Sequence, residues 1–140
     1  MNTTFRFEDA RGSMEIEELA PGHLRVRVEG HLTARVGSEF PLFARMAAEH
    51  ADSCVVYLDA RGLNGFDPAV RDAWLEVVLL EREHIDRIVT ATRGVFISLS
   101  ARAAGLMLRS VGVDFEVSNS SAEFDALVTS VPREDLRRAA

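Results

Sequence analysis

The stretch CVVYLDARGLNGFDPAVRDAWLEVVLL, Cys54 to Leu80, decides how this chain folds. It opens on a continuous apolar run, Cys54-Val55-Val56-Tyr57-Leu58, and reaches Asp59. A short unbroken apolar run is how a strand buried on both faces reads. Ala60 to Phe66 holds Gly62, Asn64 and Gly65 and reads as a turn-rich loop. Asp67-Pro68 then supplies an N-cap and a residue suited to the first helical position. Val70, Trp74, Val77 and Val78 follow on one helical face. The unit is strand, loop, helix, and the loop leaves the carboxyl end of a central strand. In open α/β sheets sites are usually built at that edge.

Upstream of this unit the period changes. Phe5 and Phe7, then Met14 and Ile16, then Leu24, Val26 and Val28 alternate with polar residues, separated by Asp9–Gly12 and Pro21-Gly22 turns. These are half-buried antiparallel strands by pattern. Thr33 is placed to cap a helix carrying Val36, Phe40, Phe43, Ala44 and Ala47 through His50, which Pro41 should kink or split. Downstream, Ile88 to Ala91 reads as a buried strand. Val95 to Leu99 could be read as a strand, but the preferred reading is a helix from about Gly94 to Ser110, ended by Gly112 as its C′ residue. Phe115 and Val117 mark the last strand, and Ser120 or Ser121 caps a closing helix with Phe124, Leu127 and Val128. Pro132 should end that helix, leaving 131–140 as a polar tail. Strand-helix alternation after residue 50 implies that Cys54–Leu58, Arg87–Ala91 and Asp114–Val117 run parallel.

Composition narrows the function. The chain has 140 residues, enough for one domain with a real core. Its net charge of −6 gives no reason to expect nucleic-acid binding. All its basic residues are Arg, so mechanisms that need a lysine amine are out of reach. The lone Cys54 sits in the apolar run and reads as a small core residue. No signal segment or apolar run of membrane-spanning length is visible, so the expected location is the cytoplasm. His23, His31, His50 and His84 are scattered, without the spacing of a helical metal pair, and there is no nucleophile elbow. Asp59, Asp67 and Asp72 have the chemistry of a magnesium site, but helix-start and strand-end preferences already account for two of them. The expectation is a chain without cofactor or bound metal, and not an enzyme.

Three segments carry a family resemblance. HLRVRVEGHLT (His23 to Thr33), VVYLDARGLNGFDPAVRDAWL (Val55 to Leu75) and LMLRSVGVDFEVSNSSAEFDAL (Leu106 to Leu127) resemble, in order and spacing, the STAS domain of bacterial anti-sigma factor antagonists. The resemblance covers about residues 13–130. It implies an α/β fold with a mixed four- to six-stranded sheet, antiparallel N-terminal strands and about four helices, forming one STAS-like domain over 1–140. It also implies a bacterial signal-transduction role through protein binding. The family's Asp-Ser-Ser-Gly motif falls on Asp67, Pro68, Ala69 and Val70, so only the Asp is retained and the phosphorylated serine is replaced by Pro68. The longer segment before the third helix is similar to divergent STAS-like bacterial proteins likened to CRAL-TRIO lipid-binding domains.

Two functional expectations follow. The first is a regulatory or scaffolding module that binds a protein partner through Asp59, Arg61, Asn64, Asp67 and Arg71, without the serine phosphorylation switch. The alternative is a carrier of a lipid or other apolar ligand in a groove between Val70–Leu80 and Val95–Val111. The apolar helix has two candidate faces: Phe96, Leu99, Ala103 and Leu106 share one, and Ile97, Ala101, Ala104 and Leu108 share another. One should pack on the sheet. The other, with Trp74, is a candidate surface for ligand or for a homodimer.

Overall fold

The computed structural model describes residues 4–50, 53–118 and 120–139. Their order is β1 (Thr4–Glu8), β2 (Gly12–Ala20), β3 (His23–Leu32), α1 (Ala34–Gly37), α2 (Glu39–His50), β4 (Cys54–Phe66), α3 (Pro68–Leu80), β5 (Ile85–Thr92), α4 (Val95–Ser110), β6 (Phe115–Val117) and α5 (Ser121–Ala139). The side chains of His50 and of residues 132–140 lie outside the described residues, and with them the reading of 131–140 as a polar tail, except that Val131 is buried in the core.

The strands lie side by side in chain order, β1-β2-β3-β4-β5-β6. The first two pairings are antiparallel and the last three parallel. β4 is therefore interior, as its unbroken apolar run requires. Val56, Ile88 and Phe115 of the parallel strands share one core with Val36, Phe40, Val70, Val77, Ile97 and Leu108 from α1 to α4. On the opposite face α5 packs alone, with Phe124 and Val131 against Leu19, Tyr57, Val89 and Ala91. Phe5 and Phe7 of the edge strand reach Phe43 of α2, with ring centroids 4.8 and 5.9 Å apart.

The structure corrects two readings and bears out a third. Ala60 to Phe66 is the second half of β4 rather than a loop. It stays paired to β3 through two irregularities, and at each β4 carries one residue more than its neighbour. The glycines are there for close approach. A Cβ on Gly62 would lie 2.9 Å from Glu29 Cγ, and one on Gly65 2.9 Å from His31 Nδ1. A first turn is split off ahead of Pro41, as expected: α1 is a single turn, the break comes at Ser38, and Pro41 sits in the first turn of α2, where an N–H would lack an intrahelical acceptor. Pro132 does not end α5, which runs to Ala139; losing one donor does not outweigh the remaining turns.

The other helix boundaries follow local chemistry. Thr33 caps α1 by accepting from Val36 N–H, and Ser120 Oγ accepts from Glu123 N–H at the start of α5. Gly112, at φ 91°, turns the chain after α4. Cys54 is fully buried, and that burial pushes its thiol up to about 11, which leaves no reactive thiolate. No helix among the described residues is long and apolar enough to cross a membrane.

Candidate functional site: a cleft between two helices

Asp67 occupies the N-cap position of α3, yet its side chain makes no bond to that helix. Val70 N–H is already satisfied by the Asp67 carbonyl, and Pro68 has no N–H to offer. The carboxylate instead crosses to the end of β3. It accepts from His31 Nε2 at 2.8 Å and from the Ala34 N–H at 2.9 Å, so it caps α1 rather than α3. The His31 hydrogen bond, with the Ala34 N–H and nearby positive charge, holds the carboxyl below its usual range. The Thr33 hydroxyl adds a tie to Asp9 of the β1–β2 turn. Asp67→Ala should therefore loosen the starts of α1 and α3 together and lower the melting temperature. A carboxylate held low contributes stability that is present above its unfolded value and is lost as pH falls through its folded value. The deficit of the variant should thus shrink as pH is lowered from 7 toward about 3. A deficit constant across that range would show that the carboxylate charge is not what matters.

Asp59 and Arg61 form a second knot. Arg61 Nε and Nη2 bond both oxygens of Asp59, at 2.9 and 2.8 Å. The same guanidinium reaches Asp125 on α5, at 3.1 and 2.8 Å, and lies 5.3 Å from the centroid of the Phe124 ring. Burial alone would push the Asp59 carboxyl up, but the hydrogen bonds and charge of Arg61 outweigh it and leave the carboxyl below its ordinary value. Of the residues expected to bind a partner, Asp59, Arg61 and Asp67 are thus engaged within the chain. Asn64 and Arg71 are exposed, and among the described residues Arg71 meets only its neighbour Asp72, at 3.3 Å. Asp59, Asp67 and Asp72 do not converge, and no three potential metal ligands do so among the described residues.

The space between α3 and α4 is different. A cavity of about 160 Å³ opens there over β4 and β5. Val56, Leu58, Ala60 and Ile88 form its floor. Val70, Trp74, Leu75 and Val78 form one wall, and Ile97, Ala101, Ala104 and Leu108 the other. The void exists because small side chains meet where large ones would close it: Ala60 below, Ala101 and Ala104 beside. Trp74 is a fixed wall. Its indole N–H donates to the Gly37 carbonyl at 2.8 Å and its ring lies 4.5 Å from that of Phe40. Phe66 and Phe96 stack at the rim, 6.0 Å apart.

The polar atoms of the lining are mostly satisfied. Thr90 Oγ1 donates to the Leu58 carbonyl, and Thr92 pairs with Ser98. Among the described residues the Ser100 hydroxyl has no partner and the half-exposed Arg71 guanidinium meets Asp72, so both have donors left for a polar group of a ligand.

Residues expected to form one ligand or dimer surface are divided by the structure. Trp74 lines the cleft and Phe96 stands at its rim, while Leu99, Ala103 and Leu106 point to solvent. Of the two faces, the one with Ile97, Ala101, Ala104 and Leu108 packs on the sheet and also bounds the void. Asp125 and the role of His31 were not singled out by sequence. Pairings such as Arg61 with Asp125, 64 residues apart, leave no local signal.

No family model matches the chain, and no curated protein does. Among solved structures, the crystal structure of an uncharacterized DUF3478-family protein with a SpoIIAA-like fold, from Shewanella loihica PV-4, matches with a TM-score of 0.60. The match covers 91% of this chain and 93% of that one, at 12% identity. The chain thus has the SpoIIAA-like fold, which is the fold of STAS domains.

Proposed function

We propose that this protein is a non-enzymatic binding module whose ligand is a small apolar or amphipathic molecule held between α3 and α4. The single observation that carries the reading is the preformed carbon-lined cavity of about 160 Å³. An engineered apolar cavity of about 150 Å³ takes a benzene-sized guest, while drug-sized ligands need roughly 300 Å³ or more. The ligand therefore buries a short apolar segment and leaves its polar end at the mouth, toward Ser100 and Arg71. Regulation through a protein partner at Asp59–Arg71 has less support, since the charged groups best placed for it are committed internally. That stretch also contains no Ser, Thr or Tyr to phosphorylate.

Trp74 is the chain's one tryptophan and lies in the cleft wall, so its emission reports occupancy. Titration with octanol and with octanoate should give saturable changes, octanoate binding more tightly through Arg71. Ala104→Phe fills the void and should weaken both by tenfold or more while the melting temperature holds or rises. Arg71→Ala should remove only the preference for octanoate. Unaltered binding in Ala104→Phe, or no saturable change with either probe, would sink the proposal.

A further inference from the structure

The outer surface of α4 poses a separate question. Val95, Phe96, Leu99, Ala103, Leu106 and Met107 fall on one arc of the helix at 100° per residue. All are exposed, Phe96 by 62%, Leu99 by 60% and Leu106 by 67%. An apolar face of this kind on a lone chain marks an interaction surface.

Its charges say what kind of surface it meets. The chain carries a net −6, yet α4 contains no acidic residue. Arg102 lies on the edge of the apolar arc, Arg109 beside it and Arg93 just before the helix. Among the described residues neither Arg93 nor Arg102 has an ion-pair partner. The acids near the end of α4, Asp114 and Glu116, are both taken by Arg87. One N–H of Arg109 goes to the Phe115 carbonyl. The helix thus presents an apolar band with cations along its edge, against the charge of the whole chain.

A second copy docked by a two-fold axis would meet this same face. It would bring Arg102 toward its own counterpart, with no acid on α4 to relieve the repulsion. A lipid surface with anionic headgroups complements both features. Phe96, Leu99 and Leu106 enter the acyl boundary, and the guanidiniums stay at the level of the phosphates. We propose that α4 docks the protein peripherally on anionic membranes through this face. The inference rests on the outside of α4 and not on the filling of the cleft.

The test is co-sedimentation of the full chain with vesicles of phosphatidylcholine alone and of equimolar phosphatidylcholine and phosphatidylglycerol. Binding should require the anionic vesicles and weaken as salt is raised. Arg102→Gln should weaken it roughly fivefold, the effect of one surface cation. Leu99→Asp should weaken it at least tenfold. Both residues are exposed, so circular dichroism and melting of the variants should match the parent. Ala104→Phe should bind vesicles as the parent does, which separates this proposal from the cleft ligand. Absence of binding to anionic vesicles would overturn it. So would a dimer in sedimentation equilibrium that Leu99→Asp converts to monomer without any vesicle binding, because the face would then belong to a second copy.

Discussion

Phe124→Ala should lower stability by about 3–5 kcal/mol, the range for emptying a large aromatic site in a core. Phe124 is 1% exposed and is the largest side chain that α5 places on the second face of the sheet. The cluster around it is small, so few neighbours can move in to fill the space. Its ring also lies beneath the Arg61 guanidinium, and a cation over an aromatic face adds a further fraction of a kcal/mol at a partly exposed site. Whole-domain stabilities are only about 5–15 kcal/mol, so the variant should melt far below the parent. Urea denaturation gives the magnitude. Native-state hydrogen exchange gives the location: amides of α5 should exchange much faster while those of β4 and β5 track the global change. A loss below about 1.5 kcal/mol would mean that α5 is a weakly held appendage rather than the second layer of the fold.

What was legible in the sequence follows from which forces act locally. The order and direction of the strands could be read because burial on one face or two leaves different periods: alternation in Met14–Val28, an unbroken run in Cys54–Leu58. Helix ends could be read where the capping residue acts within a few positions, through its side chain at Thr33 and Ser120 and through its positive φ at Gly112. Gly62 and Gly65 misled because glycine signals either a turn or a backbone approached closely by its neighbour, and only the β3 partner decides which. Asp67 was legible as a helix-start residue, but the destination of its carboxylate was not, because Ala34 and His31 lie more than 30 positions away. The groove between α3 and α4 was readable as a place, since both helices present apolar faces. Whether it stays open depends on how Ala60, Ala101 and Ala104 meet across it, and that is a property of packing.

Arg61→Met should be the most costly change near the middle of β4, at about 3 kcal/mol, the lower end of what breaking a buried ion pair costs. The side chains of Asp59 and Arg61 are only 11% and 19% exposed, so water cannot replace the lost partner fully. Asp125, at 59% exposed, stands in solvent, and Asp125→Asn should cost no more than about 1 kcal/mol. The two variants therefore separate the buried half of the bridge from its surface half. Acid should separate them again. In the parent, Asp59 is held below its unfolded value of 3.8, so its stabilising contribution is present above that value and is lost as pH falls through the folded one. In Arg61→Met the guanidinium's hydrogen bonds and charge are gone, and burial, which raises the Asp59 carboxyl, is opposed only by the residue-61 N–H and the charge of Arg27. That penalty is felt at neutral pH and is relieved as the group takes up a proton. The gap between parent and variant should accordingly narrow as pH is lowered from 7 toward about 3. Asp59→Asn combined with Arg61→Met should recover part of the loss at pH 7, since no uncompensated charge is left. A gap that stays constant with pH, or a double variant no more stable than Arg61→Met, would show that Arg61 acts through its packing on Phe124 and not through its charge.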